Sequence, residues 1–233
     1  MDTTAPLRQR CERVRAQVEK AARACGRQAE EITIVAVAKT HSLAEVEQVI
    51  KLGFTEIGES RVQEAAQKYS DSKPACRLHM IGHLQSNKVR KAVGLFDVIQ
   101  SVDSVRLAEL IDAEAARLRK RCQVLLQVNA SGESQKSGFN PQEIMAAADR
   151  VSKMEHLELS GLMTIGPLTS DPDLIRSVYN MVRKLFGEIK SAHRERESFN
   201  ILSMGMSDDY ELAIEAGANM IRIGRALFGP RAT

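Results

Sequence analysis

The 233-residue sequence predicts an α/β fold, a single (β/α)8 TIM barrel with one extra N-terminal helix. Three observations predict it. Short runs rich in Val, Ile and Leu recur along the chain without polar alternation, as expected of parallel strands buried on both faces. Each run is followed by a segment with helical spacing, and that alternation implies a parallel sheet. Eight such units fill roughly 200 residues, which suits a closed barrel better than an open doubly wound sheet.

The elements follow in order. Residues 5–25 carry Leu7, Cys11, Val14 and Val18 at helical spacing, and Gly26 ends this helix. Ile32 opens the first strand, which runs into Lys39. Ser42 with Glu45 forms a capping box for a helix with Val46, Val49 and Ile50 inward, closed by Gly53. The second and third strands are read at 54–58 and 77–82, with a helix at 61–69 between them. A short helix at 89–93 and a strand at 95–100 come next. Ser104 opens a helix to about Lys120 with Leu107, Leu110, Ile111, Ala115 and Leu118 as its stripe. The fifth strand, 122–128, leads through a polar loop to a helix begun by Pro141. A sixth strand at 157–163 precedes a helix over 171–193 with Leu174, Val178, Met181, Val182, Leu185 and Ile189 inward. The seventh and eighth strands, 199–204 and 219–224, flank a helix from Ser207 to Gly217, and 225–228 turn into a last helix. No linker divides the chain, so one domain is expected over 1–233, with the extra helix in 1–30 and the barrel in 31–230.

Bulk properties narrow the function. A net charge of +3, with 4% aromatics and no Trp, supplies neither the field nor the stacking platforms that nucleic acid needs. Residues 1–30 are charged and lack an apolar signal core, and no apolar run approaches the ~20 residues of a membrane span. Cys11, Cys25, Cys76 and Cys122 form no C-x-x-C pair and have no His at metal-site spacing. Free thiols, no metal and a cytoplasmic location are expected.

In such a barrel the site lies at the C-terminal ends of the strands. Those ends carry Lys39, Glu59-Ser60, His83, Asn129, Thr164, the 205–207 turn, and Arg222 with Gly224. A lysine ending a buried strand is unusual, because burial favours the neutral amine, a nucleophile toward aldehydes and ketones. The glycine turn at 205, the Ser207 hydroxyl and Gly224 suit a phosphate, for which the loops after strands 7 and 8 are a recurrent site. Ser207 is also a plausible N-cap, and so is Asp208, whose charge should turn away from an anion. Arg222 alternates with Ile221 and Ile223, so it faces the barrel interior or a salt bridge on the helix side. Amine and phosphate cradle together suit pyridoxal 5′-phosphate (PLP), or a sugar phosphate in a Schiff-base aldolase with Glu59 as acid–base group.

Several longer motifs span nearly the whole chain: Val35-Ala-Val-Ala-Lys39-Thr, Ile57-Gly-Glu-Ser-Arg-Val-Gln-Glu64, His79-Met-Ile-Gly-His-Leu-Gln-Ser-Asn-Lys88, Lys136-Ser-Gly138, Gly161-Leu-Met-Thr-Ile-Gly166, Leu202-Ser-Met-Gly-Met-Ser-Asp-Asp209 and Ile221-Arg-Ile-Gly-Arg-Ala-Leu-Phe-Gly229. In these the chain resembles the pyridoxal-phosphate homeostasis proteins, which have the barrel of alanine racemase's N-terminal domain. The resemblance implies PLP as cofactor, held on Lys39 as an internal aldimine. It implies that Ser207, Gly224 and Arg225 hold the phosphate and that Arg222 lies near the pyridine nitrogen. An arginine there leaves the ring a weaker electron sink than an aspartate would. Ser60 stands where the family usually has Asn, with shorter reach to the cofactor. Arg225 stands where it often has Thr or Ser, so a hydroxyl is replaced by a guanidinium. The family also implies a monomer.

Two roles compete. A carrier holds PLP and passes it to PLP-dependent apoenzymes in cofactor homeostasis, without dedicated turnover. A racemase-like enzyme needs an acid–base group on each face of the cofactor. Lys39 serves one face. For the other, alanine racemase uses a tyrosine from a second domain, which a chain ending at Thr233 is not expected to have. Tyr69 and Tyr179 read as helix residues away from the mouth, which leaves Tyr210, His41 and His83 as substitutes. The carrier is the expected reading, with no catalytic residue assigned.

Overall fold

Parallel strands cannot be joined by tight turns, and this chain supplies a helical crossover between successive strands. In the computed structural model, which describes residues 5–133, 135–193 and 197–229, those units close into a ring. The strands are β1 (Thr33–Val37), β2 (Glu56–Glu59), β3 (Arg77–Met80), β4 (Val98–Val102), β5 (Cys122–Val128), β6 (Leu157–Thr164), β7 (Ile201–Ser203) and β8 (Met220–Ile223). All neighbours pair in parallel, and β1 pairs with β8 through Val35 opposite Arg222. The fold is therefore the closed barrel the sequence predicts. The ends of the expected domain, 1–4 and 230–233, lie outside the described residues.

The helices are α1 (Ala5–Ala24), α2 (Leu43–Lys51), α3 (Val62–Lys68), α4 (Val89–Leu95), α5 (Val105–Arg117), α6 (Ile144–Ser152), α7 (Pro172–Ala192), α8 (Tyr210–Glu215) and α9 (Arg225–Phe228). Local chemistry sets several starts. Ser42 and Glu45 form the expected capping box on α2, Ser104 Oγ accepts the Leu107 N–H, and Asp171 caps α7 with Pro172 in its first turn. Helix α1 buries Leu7, Cys11, Val14, Val18 and Ala22. Arg10 donates to the carbonyls of Leu227 (2.7 Å) and Phe228 (3.1 Å), and Tyr210 donates to Gln17 (3.0 Å).

Where helix faces are concerned, the structure corrects the sequence. Leu174 and Met181 are exposed and Leu185 is half-buried, whereas Ile175, Tyr179 and Phe186 point inward with Val178, Val182 and Ile189. The apolar residues of α7 form two overlapping stripes, and packing selects the one rotated by a residue. Leu110 and Leu118 of the α5 region are likewise exposed, and Ile50 is half-buried. Pro141 lies in a turn and α6 starts at Ile144. Leu95 ends α4 rather than opening β4. At Gly161, beside the register shift between β5 and β6, φ is +155° and a Cβ would meet the Ile201 carbonyl oxygen at 1.8 Å, so the close approach of β7 requires glycine. Cys11, Cys25, Cys76 and Cys122 are all free, and burial pushes the thiols of Cys76 and Cys122 up to about 11. No helix among the described residues is long and apolar enough to cross a membrane.

Candidate functional site

Side chains alternate along a strand, and the register decides which ones reach the barrel mouth. A cleft of about 700 Å³ opens at the C-terminal ends of the strands, within the usual range for small-molecule sites. Lys39, Ser60, Ser207, Arg222, Gly224 and Arg225 all line it. Val37, Ile81, Ile165 and Met206 form its apolar wall. The sequence motifs contain these four, but nothing in their spacing marks them as cleft residues.

The lysine end is fixed from outside the barrel. Glu59 points away from the mouth, into the layer between β2 and α3, and is fully buried. Its Oε1 accepts from Lys68 Nζ at 2.8 Å and from Tyr69 OH at 2.9 Å. Burial raises the Glu59 carboxyl above the ordinary carboxylate range, with Lys68 pulling the other way. Burial and Glu59 together push the Tyr69 phenol up. Lys68 also donates to the Ala38 carbonyl at 2.8 Å, and Glu64 Oε1 accepts the Thr40 N–H at 2.5 Å. Helix α3 thus grips the backbone on both sides of Lys39. Thr40 has φ +68°, a left-handed conformation that a β-branched residue rarely adopts. Glu59 is therefore not the acid–base group an aldolase would need beside Lys39.

The arginine end is fixed from inside. Arg222 is buried and faces the interior. Its Nη1 donates to the Ser203 carbonyl (2.9 Å) and Oγ (2.8 Å), and its Nη2 to the Thr164 carbonyl (2.6 Å). None of these partners is a carboxylate. Desolvation lowers its proton affinity, while Tyr179 and Asp209 act in the opposite sense.

The rim beside it is built by the turns after β7 and β8. Gly205 has φ +93°, and a Cβ there would meet Tyr210 Cα at 2.9 Å. Ser207 is not an N-cap. Its Oγ accepts from the Ala226 N–H at 3.4 Å, which joins the two turns. Asp209 Oδ1 accepts the Met206 N–H at 2.6 Å, and its Oδ2 accepts from Tyr179 OH at 2.7 Å. Burial and Asp209 push the Tyr179 phenol up. Asp208 is not a cap either. It pairs with Arg225 at the cleft, contrary to the expectation that it turns away from an anion site.

Other mouth candidates fall outside the lining. His41 stacks on Phe228 at 4.3 Å and bonds Glu45. His83 sits exposed, with Nδ1 near Asp103 (3.0 Å) and Ser137 (3.1 Å). Asn129 Nδ2 donates to the carbonyls of Glu133 and Lys136, and Thr164 Oγ1 donates to Val128 O. Tyr210 faces α1, its phenol pushed up to about 12 by burial. None of the three tyrosines lines the cleft. No group of His, Cys, Asp and Glu among the described residues could hold a metal.

The cleft thus offers an amine, an apolar wall, a guanidinium and a hydroxyl-bearing rim, a set that fits an aldehyde on an apolar ring carrying a phosphate. Residues 10–232 match the family model "Alanine racemase, N-terminal domain". A pyridoxal phosphate homeostasis protein from Vibrio cholerae is 34% identical over 230 residues, 97% of this chain and 96% of that protein. A crystal structure of an unknown protein from Bifidobacterium adolescentis superposes with TM-score 0.93 at 34% identity, over 98% of this chain and 97% of that one. PipY of Synechococcus elongatus, solved with PLP bound, superposes with TM-score 0.83 at 33% identity, over 96% of this chain and 100% of that one. The chain therefore belongs to the pyridoxal phosphate homeostasis family, whose barrel is that of the alanine racemase N-terminal domain.

Proposed function

We propose that this protein binds PLP covalently and serves intracellular PLP homeostasis as a buffer and carrier, without dedicated turnover. One observation carries the reading: Lys39 and Arg222 line the same cleft as the rim formed by Ser207, Gly224 and Arg225. Lys39 would supply the amine that condenses with the cofactor's aldehyde, with loss of one water. Arg222 would stand near the pyridine nitrogen and, unable to take a proton from it, would leave the ring a weak electron sink. Ser207 Oγ and the backbone N–H groups after Gly224 hold the phosphate, with the Arg225 guanidinium adding charge. A Cβ on Gly224 would touch Val37 at an acceptable 3.5 Å, so packing alone does not demand glycine there, which supports close approach of a ligand. Ser60 lines the same cleft and would reach the ring side.

Carrier is favoured over racemase because the phenols of Tyr69 and Tyr179 are bound to buried carboxylates and Tyr210 faces α1. In this reading the protein works as a cytoplasmic monomer and passes PLP to apoenzymes. The test is an absorption spectrum of protein mixed with PLP, before and after borohydride, beside Lys39→Ala. A visible band that borohydride traps on Lys39, and that Lys39→Ala lacks, is expected. Its absence overturns the reading. The same sample should leave single L- and D-amino acids unchanged, and racemisation would replace the carrier with the enzyme.

A further inference from the structure

Five polar side chains form one continuous hydrogen-bonded path across the barrel interior. Arg222 Nη1 donates to Ser203 Oγ (2.8 Å), and Ser203 Oγ donates to Gln100 Oε1 (2.7 Å). Gln100 Nε2 meets His79 Nδ1 (2.9 Å), and His79 Nε2 meets Glu56 Oε2 (2.5 Å). His79, Gln100 and Ser203 are fully buried. Glu56 opens β2 at the opposite end of the barrel, with its side chain 24% exposed.

The ends of this path fix its direction. Arginine has only donors, and an ionised glutamate has only acceptors. Ser203 Oγ already accepts from Arg222, so its proton goes to Gln100 Oε1. The Gln100 amide nitrogen then faces two acceptors, His79 Nδ1 and Met220 Sδ (3.2 Å). His79 is left with its lone pair on Nδ1 and its proton on Nε2, aimed at Glu56. Every bond thus points from the guanidinium to the carboxylate, and such aligned chains polarise one another. Burying this many polar groups in a barrel centre is costly unless each is satisfied, and apolar residues would fill the space more cheaply.

We infer that Glu56, His79, Gln100 and Ser203 are positioning residues for Arg222. They hold its guanidinium in one orientation and link it to a carboxylate at the far end of the barrel. The inference deepens the PLP reading and rests on it, because the group that Arg222 would address is the cofactor's pyridine nitrogen. It goes beyond the mouth residues, since none of the four lines the cleft.

The experiment compares the wild type with Gln100→Leu, Ser203→Ala and Gln100→Glu, each mixed with PLP. All retain Lys39, so all should give the borohydride-trapped product. Gln100→Leu and Ser203→Ala should shift the visible absorption maximum and weaken PLP retention about tenfold, the scale of one charged hydrogen bond. Gln100→Glu keeps an acceptor for Ser203 Oγ, and its second oxygen accepts from a His79 protonated on Nδ1. Retention should return to within about twofold of wild type. A merely structural role would lower the melting temperature and leave the band in place. Unchanged band and retention in Gln100→Leu and Ser203→Ala overturn the inference, as does equal loss in Gln100→Glu and Gln100→Leu. Should Gln100→Leu fail to fold, the smaller Ser203→Ala deletion decides. A wild type with no trappable band sinks the cofactor reading itself, which is distinguishable because the variants then play no part.

Discussion

The two ends of the cleft are held in opposite ways. Around Lys39 the grip is ionic and external: Lys68 and Glu64 reach from α3 to the backbone at Ala38 and Thr40. Around Arg222 it is internal, and two of its three acceptors are main-chain carbonyls, of Ser203 and Thr164. The difference suits the roles proposed for the two residues. A nucleophilic amine needs a fixed backbone to carry it to its ligand. A guanidinium that sets a ring's electronics must itself be fixed. A carbonyl cannot be removed by substitution and an ion pair can, so the lysine end should be the more fragile of the two.

The largest effect tests that asymmetry. Lys68→Met leaves Glu59 buried with only Tyr69 as partner, and breaking a buried pair from one side costs about 3–5 kcal/mol. Burial already makes Glu59 hold its proton more tightly in the folded than in the unfolded chain. Its contribution to stability therefore falls as pH rises through and above the ordinary carboxylate range. Without Lys68 that trend steepens, so the deficit in urea unfolding should be smaller near about pH 5 than near about pH 8. A deficit independent of pH would show that Glu59 does not carry the effect.

Next in size is Tyr179→Phe, which removes the donor to Asp209 Oδ2 beneath the Ser207 turn. A cost of about 1–3 kcal/mol is expected, together with weaker phosphate retention. Stability loss with retention intact would separate the turn from the anion site. Smaller still is Thr40→Asn. A β-branched residue at φ +68° is strained and asparagine tolerates that region, so a gain of up to about 1 kcal/mol in thermal unfolding is expected. Loss instead would mean that the threonine side chain holds the turn. Least of all, Asp208→Asn should leave the melting temperature unchanged, since both partners of its pair are largely exposed. It should nevertheless tighten inorganic phosphate binding by removing a negative charge from the rim. No change there would place the Asp208 charge outside the anion's field.

How much of this was readable from the chain depends on distance along it. The barrel was legible because parallel strands buried on both faces leave uninterrupted Val, Ile and Leu runs. The mouth residues were legible because strand ends are where such runs stop, as at Lys39 and Gly224. The facing of α7 was not, because two apolar stripes overlap and only packing against the sheet picks Ile175 over Leu174. Glu59 was misplaced at the mouth because one step of alternation separates it from Ser60, which does line the cleft. The path from Glu56 to Arg222 draws on five different strands, and no periodicity in one dimension announces a meeting of His79, Gln100 and Ser203.

The docking of α1 has a consequence for how the chain is made. Its buried stripe rests beside α8 and α9, and Arg10 bonds carbonyls more than two hundred residues later, at Leu227 and Phe228. Strand β1 likewise finds β8 only after all the strands between them have been made. A ribosome releases α1 well before its partner surface, so Leu7, Val14 and Val18 stay uncovered while the residues between them are translated. Contacts of such sequence separation slow folding. Ring closure thus cannot precede translation of β8 and α9, and chains halted before residue 228 should be substrates for chaperones and proteases rather than partial barrels.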